Sequence, residues 1–417
     1  MSRLHITGGN RLSGEVKIQG AKNSVLPILA ATLLTSGRCV LKNCPKLSDV
    51  ESAVEILKYM GCEVEFEKDI ITVNSQGAKH HDIPDILMRR MRSSIMFLGP
   101  VLGRFQRARL CFPGGCELGP RPIDIHINAF REMGIEIHEK HGCISCYSTK
   151  RTVPKEITLP FPSVGATENI MMFACTLKGT TVITNAAREP EIEDLQNFLV
   201  KMGAKIYGAG SANIVIEGGR KLYPAEYEIM PDRIVASTYM SAAAVTGGEL
   251  FLTNAVSSHM SAVISVFDKA GCEIKKGDNY IYFKAPEKLK NVKSILTMPY
   301  PGFPTDSNPV IAACLTKAKG TSVIIETIFQ NRFKYTGELL RLGANIKVDS
   351  RVCVIEGVDK LYGAPVEATD LRGGAALVVA ALGAEGESIV DNIFYIDRGY
   401  ENIEKVFESL GGNIKRI

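Results

Sequence analysis

No apolar run in the chain approaches the ~18 residues of a membrane-spanning helix, so no span is expected. The opening Met-Ser-Arg-Leu-His-Ile-Thr lacks the apolar core of a signal peptide. The eleven cysteines sit in scattered, mostly apolar settings, as in a protein of a reducing cytoplasm. Charge of one sign is missing too. Lysine and arginine total 49 against 45 acidic residues, a net +4 that is too even for a nucleic-acid footprint. Any anion must therefore be met locally, by placed cations. No Gly-x-x-x-x-Gly-Lys-Ser/Thr loop occurs, and no Gly-x-Gly-x-x-Gly follows a strand into a helix, which removes P-loop nucleotidases and Rossmann dehydrogenases. Neither a cofactor nor a metal is expected. The segment His138-Glu139-Lys140-His141-Gly142-Cys143-Ile144-Ser145-Cys146 has zinc-like spacing, but it falls on a hairpin whose counterparts elsewhere carry no ligand pattern.

What the chain does have is a repeat. A helical pattern that ends in an apolar residue and a glycine, followed by alternating strand residues, recurs six times. The glycines are Gly61, Gly134, Gly203, Gly271, Gly343 and Gly411, spaced 68 to 73 residues apart. Each copy reads as strand, helix, strand, helix, strand, strand. A leading strand such as 15–18 precedes a small-residue helix (26–34, 236–244, 375–382). A second strand (181–183, 388–390) and an amphipathic helix (50–60, 192–202) follow, and the glycine ends that helix as a C-cap residue would. The last copy reaches Ile417 without its return strand, while Arg3-Leu4-His5-Ile6-Thr7-Gly8 resembles the return strand of the third copy, Asn213-Ile214-Val215-Ile216-Glu217-Gly218. Three copies per half imply two α/β domains, residues 22–229 and residues 1–21 with 230–417, the second closed by the N-terminal segment. Two crossings between them make a hinged cleft the expected site.

The register of the repeat also gathers the polar residues. Before the small-residue helix stand Lys22-Asn23, Arg92, Ser163-Val164-Gly165, Asp232-Arg233, Asp306 and Asp370-Leu371-Arg372. Helix N-termini offer free N–H groups and partial positive charge, so several facing one cleft suit a phosphorylated or carboxylated ligand. Ser163 and Asp232 read equally well as N-caps. Lys22, Arg92 and Arg372 do not, because a cation opposes the dipole at that end. Before the second helix stand Arg121, Arg188-Glu189, Asn331-Arg332 and Asp397-Arg398. Each arginine alone reads as half of a surface ion pair; the shared register favours an anion clamp. The loop from Cys111 to Asp124, with three glycines and three prolines, holds Cys116 and Arg121. A thiol and a guanidinium there suit a general acid or nucleophile beside an anion, and a bystander cysteine is the other reading.

These residues also carry a resemblance. Gly20-Ala21-Lys22-Asn23, Pro113-Gly114-Gly115-Cys116, Arg121-Pro122-Ile123-Asp124, Ser163-Val164-Gly165-Ala166-Thr167, Asn185-Ala186-Ala187-Arg188-Glu189-Pro190-Glu191, Phe303-Pro304-Thr305-Asp306, Asn331-Arg332-Phe333, Ala368-Thr369-Asp370-Leu371-Arg372 and Asp397-Arg398-Gly399-Tyr400 are similar to motifs of the UDP-N-acetylglucosamine 1-carboxyvinyltransferase family. The resemblance covers essentially the whole chain. It implies the two-domain inside-out α/β barrel shared with 5-enolpyruvylshikimate-3-phosphate synthase. It also implies a cytoplasmic enzyme that moves the enolpyruvyl group of phosphoenolpyruvate to the 3′-hydroxyl of UDP-N-acetylglucosamine at the start of peptidoglycan synthesis.

By that resemblance Cys116 is the general acid, and the target of the epoxide fosfomycin. Asp306 faces the sugar hydroxyl, and Lys22, Arg121 and Arg398 clamp phosphate and carboxylate with Arg92 and Arg372 nearby. Asn23, Arg121, Pro122, Ile123, Asp124, Ile125, Ser163, Val164, Gly165, Asp306 and Ile328 resemble the nucleotide-sugar contacts, and Arg332, Asp370 and Leu371 complete the expected binding set. The partners implied are these two small molecules, with neither nucleic acid nor membrane. The chain departs from the family at Val235, Gln330 and Ser307-Asn308-Pro309, and at Phe161 where some members have lysine. A paralogue that binds nucleotide sugar with little turnover, or a transferase with another acceptor such as a shikimate derivative, are the alternatives.

Overall fold

The structure, a computed structural model, describes residues 2–114, 118 and 123–417. All six repeat glycines have φ between 85° and 106°, the left-handed region that a side chain disfavours. In each copy the N–H of the following residue reaches back five residues, as from Cys62 to the Leu57 carbonyl, at 2.8 to 3.1 Å. The glycine N–H bonds three residues back, which completes a Schellman cap and turns the chain into the next strand.

Each copy contributes to a four-stranded sheet, and there are six such sheets among the described residues. In the third copy Glu156–Thr158 runs parallel to Gly179–Thr184, which pairs antiparallel with Asn213–Gly218, itself antiparallel to Lys205–Tyr207. The sixth sheet keeps this order with Leu4–Thr7 as the return strand, between Glu387–Asp391 and Asn413–Arg416. Two leading strands are exchanged between distant copies. Ser13–Lys17 runs parallel to Glu249–Thr253, and Glu226–Glu228 runs parallel to Arg38–Lys42. The chain divides into two compact units. One comprises Met1–Gln19, Glu117–Gly119 and Pro231–Ile417; the other comprises Gly20–Cys116 and Pro120–Met230.

Each unit has its own hydrophobic core. In both, the small-residue helices lie inside and the sheets turn one face out. The helix Leu371–Leu382 is buried from Arg372 onward, whereas strands such as Glu387–Asp391 alternate buried and accessible positions. Small residues let the helix backbones approach. A Cβ on Gly99 of the helix Leu98–Phe105 would sit 2.3 Å from the Asn169 carbonyl oxygen of the helix Val164–Ala174. Several buried hydroxyls on these helices bond to their own backbone, as Thr238 to the Ile234 carbonyl at 3.0 Å, whereas Ser237 Oγ has no partner among the described residues.

The small-residue helices begin earlier than their apolar pattern does. They span Lys22–Ala31, Arg233–Thr246 and Leu371–Leu382, which puts Lys22, Asn23 and Arg372 in first turns rather than in the preceding loops. Polar residues at a helix start carry no periodic signal, so the pattern undercounts them. The cysteine reading is also corrected. Cys111 and Cys143, directly opposite on neighbouring strands, form a disulfide. The eight free cysteines described are all buried.

Replacing Gly203 by alanine is expected to cost about 1–2 kcal/mol, the penalty of a left-handed alanine, because a Cβ there meets nothing closer than 3.4 Å. Gly134→Ala should cost clearly more, since its Cβ would lie 2.3 Å from the Arg151 carbonyl oxygen. Urea titration of both variants measures the difference, and equal costs would contradict the packing at Gly134.

Candidate active site

In the unit that contains residues 231–417, the starts of the buried helices bring Asp306, Arg332, Asp370 and Arg372 together. Asp306 lies in the short helix Thr305–Ser307, and Arg332 opens the short helix Arg332–Tyr335. The Arg332 guanidinium is 1% exposed. It donates twice to the Thr305 carbonyl, at 3.0 and 2.8 Å, and once to Asp306 Oδ1 at 2.8 Å. Its Nη1 lies 3.6 Å from Asp370 Oδ1. Arg372 is 3% exposed, with Nε 3.6 Å from Asp306 Oδ2 and the guanidinium 5.4 Å from the Tyr400 ring centre. Its Nε and Nη1 are buried without a hydrogen-bond acceptor among the described residues. Burial works against this charge, but Tyr400, Asp306 and Asp232 hold it protonated.

Asp370 is an N-cap, accepting from the N–H groups of Arg372 and Gly373 at 3.0 Å each. Asp232 caps Arg233–Thr246 in the same way, at 2.8 and 3.0 Å. The capping reading therefore holds for Asp232, and for Asp370 the cap adds to its place beside Arg332. Arg398 ends the short helix Ile393–Arg398 and is half-buried. The turn after it is framed by Gln19, whose amide donates to the Gly399 carbonyl at 3.3 Å and accepts from the Glu401 N–H at 3.0 Å. Leu371 packs against Gly399, where a Cβ would meet its Cδ1 at 2.8 Å.

Glu326, 1% exposed, carried no signal in the sequence and organises this half of the site. One oxygen accepts the N–H groups of Ile328 and Phe329 at 2.9 and 3.1 Å; the other accepts Thr305 Oγ1 and Asn308 Nδ2 at 2.9 Å. It thereby ties the Ile328 loop to the turn that carries Asp306. Asn308, one of the departures from the family pattern, is fully used, because its Oδ1 also accepts the Tyr335 hydroxyl at 2.9 Å. Ser307 Oγ has no partner, and Val235 is packed in the core.

In the unit that contains residues 20–116, Lys22 is 7% exposed and its Nζ lies 2.7 Å from Asp49 Oδ2, which is buried as well. Asn23 and Asp124 are exposed, Ile123 is buried, and Ile125, Val164 and Gly165 are half-buried. Arg92, Ile123 and Asp124 line a cavity of about 330 Å³ together with Phe112, Ile127 and Asn128. Ser163 caps Val164–Ala174, its Oγ 3.4 Å from the Ala166 N–H. Arg188 is exposed. Cys116, Arg121 and Pro122 lie outside the described residues.

The sequence reading also missed a family of asparagines. Asn43, Asn185 and Asn254 follow second strands, take positive φ, and donate to the carbonyls of Ile229, Leu159 and Ile18 at 2.8 Å. Each pins the end of a leading strand just before a helix start. The signal was present, asparagine at one register position in several copies, but it reads as ordinary turn chemistry. Glu168 was missed because it sits mid-helix. Burial first, then Glu191 and Glu189, holds its carboxyl well above the usual range, and its Oε1 has no partner.

His126 is buried, and its pKa falls from 6.5 to about 4 because of burial first and Arg92 second. On acidification the unfolded chain binds this proton before the folded one. Stability is therefore full above about pH 6.5 and drains as pH falls toward 4, by roughly 3 kcal/mol at most. The melting temperature of His126→Gln should fall less over that window than that of the unaltered chain, and parallel melting curves would refute the assignment. Glu326→Ala should cost about 3 kcal/mol, because it strands two buried N–H donors and the Asn308 amide; chemical denaturation measures it.

Residues 6–407 match the family model of EPSP synthase (3-phosphoshikimate 1-carboxyvinyltransferase). The chain is 54% identical over 417 residues to UDP-N-acetylglucosamine 1-carboxyvinyltransferase 2 of Caldanaerobacter subterraneus subsp. tengcongensis, covering 100% of both. It is 48% identical to UDP-N-acetylglucosamine 1-carboxyvinyltransferase 1 of Carboxydothermus hydrogenoformans, covering 100% of this chain and 99% of that protein. The solved enolpyruvyl transferase NikO of Streptomyces tendae superposes with a TM-score of 0.90 at 25% identity, covering 100% of this chain and 99% of that one. EPSP synthase of Acinetobacter baumannii, at 17% identity and full coverage of both chains, shares the fold with a TM-score of 0.76. With the family model matched almost end to end and relatives this similar over their full length, the chain belongs to the EPSP synthase family of enolpyruvyl transferases, among the UDP-N-acetylglucosamine 1-carboxyvinyltransferases.

Proposed function

We propose that the chain transfers the enolpyruvyl group of phosphoenolpyruvate to the 3′-hydroxyl of UDP-N-acetylglucosamine and releases phosphate, the first committed step of peptidoglycan synthesis. The observation that carries this reading is Arg372, buried beside Asp306 with two nitrogens, Nε and Nη1, that have no acceptor among the described residues. A desolvated guanidinium in that state is suited to an anion that develops charge during reaction.

In the addition step the 3′-oxygen bonds to C2 of phosphoenolpyruvate while C3 takes a proton, which gives a tetrahedral phosphate adduct. In the elimination step C3 loses a proton, the bond from C2 to the phosphate oxygen breaks, and phosphate leaves. Cys116 is assigned the proton donor to C3. Asp306, whose Oδ1 accepts from Arg332, is assigned the base that takes the proton of the sugar hydroxyl as its oxygen bonds to C2. Lys22, Arg121 and Arg398 hold the phosphate and carboxylate, with Arg92 and Arg372 adding charge. Asn23, Ile123, Asp124, Ile125, Ser163, Val164, Gly165, Ile328, Asp370 and Leu371 are assigned to the acceptor, together with Pro122.

Mixing the protein with both substrates should release one phosphate per product, and Cys116→Ala and Asp306→Ala should each lower kcat by about 10²–10⁴. Binding of the nucleotide sugar without any phosphate release would replace this reading with that of a non-enzymatic binder, and turnover only with a shikimate phosphate would replace the acceptor. Fosfomycin should add its mass at Cys116. Burial pushes the thiols of Cys44, Cys146, Cys175, Cys272 and Cys353 up to about 12 and that of Cys62 up to about 11, so these are poor competitors. Peptide mass mapping checks it, and adducts confined to other cysteines would remove Cys116 from the role.

A further inference from the structure

The turn that follows Arg398 is bound by a side chain 380 residues away in sequence. Arg398 ends the short helix Ile393–Arg398, and the next residues, 399–402, belong to no strand or helix. The N–H groups of Gly399 and Tyr400 both turn back to the Ile396 carbonyl, at 3.0 Å each. The Gly399 carbonyl and the Glu401 N–H are left. The amide of Gln19 meets both, donating from Nε2 at 3.3 Å and accepting at Oε1 at 3.0 Å. One donor and one acceptor on a single planar group match that pair, and a flipped amide would match neither. The turn next to Arg398 thus takes its place from residue 19.

Residue 19 is itself fixed. Ser13–Lys17 runs beside Glu249–Thr253, and the next residue, Ile18, donates to the Thr253 carbonyl at 2.9 Å and accepts Asn254 Nδ2 at 2.8 Å. The Gln19 carbonyl accepts the N–H of Asp232, the cap of the helix Arg233–Thr246, at 2.9 Å. That helix carries Thr238, whose hydroxyl bonds the Tyr400 hydroxyl at 2.8 Å. Tyr400 stands between Gly399 and Glu401, its ring centre 5.4 Å from the Arg372 guanidinium. The contacts close on themselves, from the Gln19 amide through the turn, Tyr400, Thr238 and Asp232 to the Gln19 carbonyl. Arg398 adjoins this circuit at Gly399, and Arg372 adjoins it at Tyr400. Gln19 is half-buried, whereas Tyr400 and Thr238 are buried. Water can replace the bonds of a half-buried amide, so their removal costs little stability while it frees the turn.

We propose that Gln19 is a positioning residue for Arg398, fixing the turn 399–401 and with it the spacing of Arg398 and Arg372 that the phosphoenolpyruvate anion needs. The inference rests on the transferase reading above, which gives both arginines to that anion. Gln19 touches neither substrate in this role. A displacement of about 1 Å in such a clamp costs about 10²-fold, so a smaller shift of the turn is worth about tenfold. Asp306 and Ile328, given to the nucleotide sugar, are tied instead through Glu326 and lie outside the circuit. The effect therefore falls on one substrate.

Gln19→Leu keeps much of the side-chain bulk and removes both bonds. It is expected to raise KM for phosphoenolpyruvate about tenfold and to leave KM for UDP-N-acetylglucosamine within about twofold. Its melting temperature should stay within about 3 °C of the unaltered protein. Gln19→Glu keeps an acceptor for the Glu401 N–H and should recover part of the loss. An unchanged KM for phosphoenolpyruvate, a parallel rise in both KM values, or a Gln19→Glu protein no better than Gln19→Leu would overturn the proposal. Should Gln19→Leu fail to fold, Gln19→Glu decides alone, with a rise of about two- to fivefold in that KM expected and no change overturning it. Absence of phosphate release by the unaltered protein would instead sink the transferase reading. Phosphoenolpyruvate titrated calorimetrically into the unaltered and Gln19→Leu proteins then still tests Gln19: weaker binding to the variant supports its role, and equal binding, or none to either, overturns it.

Discussion

Three helices can share the middle of a unit only if their facing residues are small, and the rest of the molecule follows from that. Ala, Gly and Ser on Arg233–Thr246 and Leu371–Leu382 let the backbones approach. Such helices bury nearly every side chain, and the cations Lys22, Arg233 and Arg372 stand in their first turns. The sheets, apolar on one face, then have to lie outside. Function is thereby pushed to helix starts, where unpaired N–H groups and the dipole already favour anions.

Cations at a helix start are unfavourable unless something offsets the dipole, and the structure supplies the offset. Asp370 caps its helix and also sits beside Arg332, and Asp232 helps to hold the charge on Arg372. Lys22 meets Asp49. These carboxylates make buried positive charge tolerable without neutralising every donor, because Nε and Nη1 of Arg372 still have no acceptor among the described residues. The arrangement resembles a clamp built in advance of its ligand, in which desolvation has already been met by the fold.

The departures from the family pattern are absorbed by packing. Val235 joins the core, and Asn308 bonds both Glu326 and Tyr335. Ser307 keeps an unsatisfied hydroxyl, and the exposed Gln330 and Phe161 are explained by nothing in the structure. None of these changes removes a charged group from the Asp306 cluster.

The sequence by itself determined the six copies and the register of their polar positions. Both depend on local backbone chemistry: a glycine that must take positive φ after a helix is visible wherever it occurs. Register alone also singled out Asp306, Arg332 and Arg372. It could not say that Asp232 and Asp370 would cap, because capping depends on a side-chain rotamer. The partners of the site were decided only by the tertiary structure. Glu326 with Asn308, Lys22 with Asp49 and His126 with Asn169 are joined across 18 to 43 residues of chain, and Ser13–Lys17 pairs with a strand more distant still. Each reads in sequence as an unremarkable polar or apolar residue. Its meaning depends on which surface the packed helices bring opposite it, and no local pattern records that.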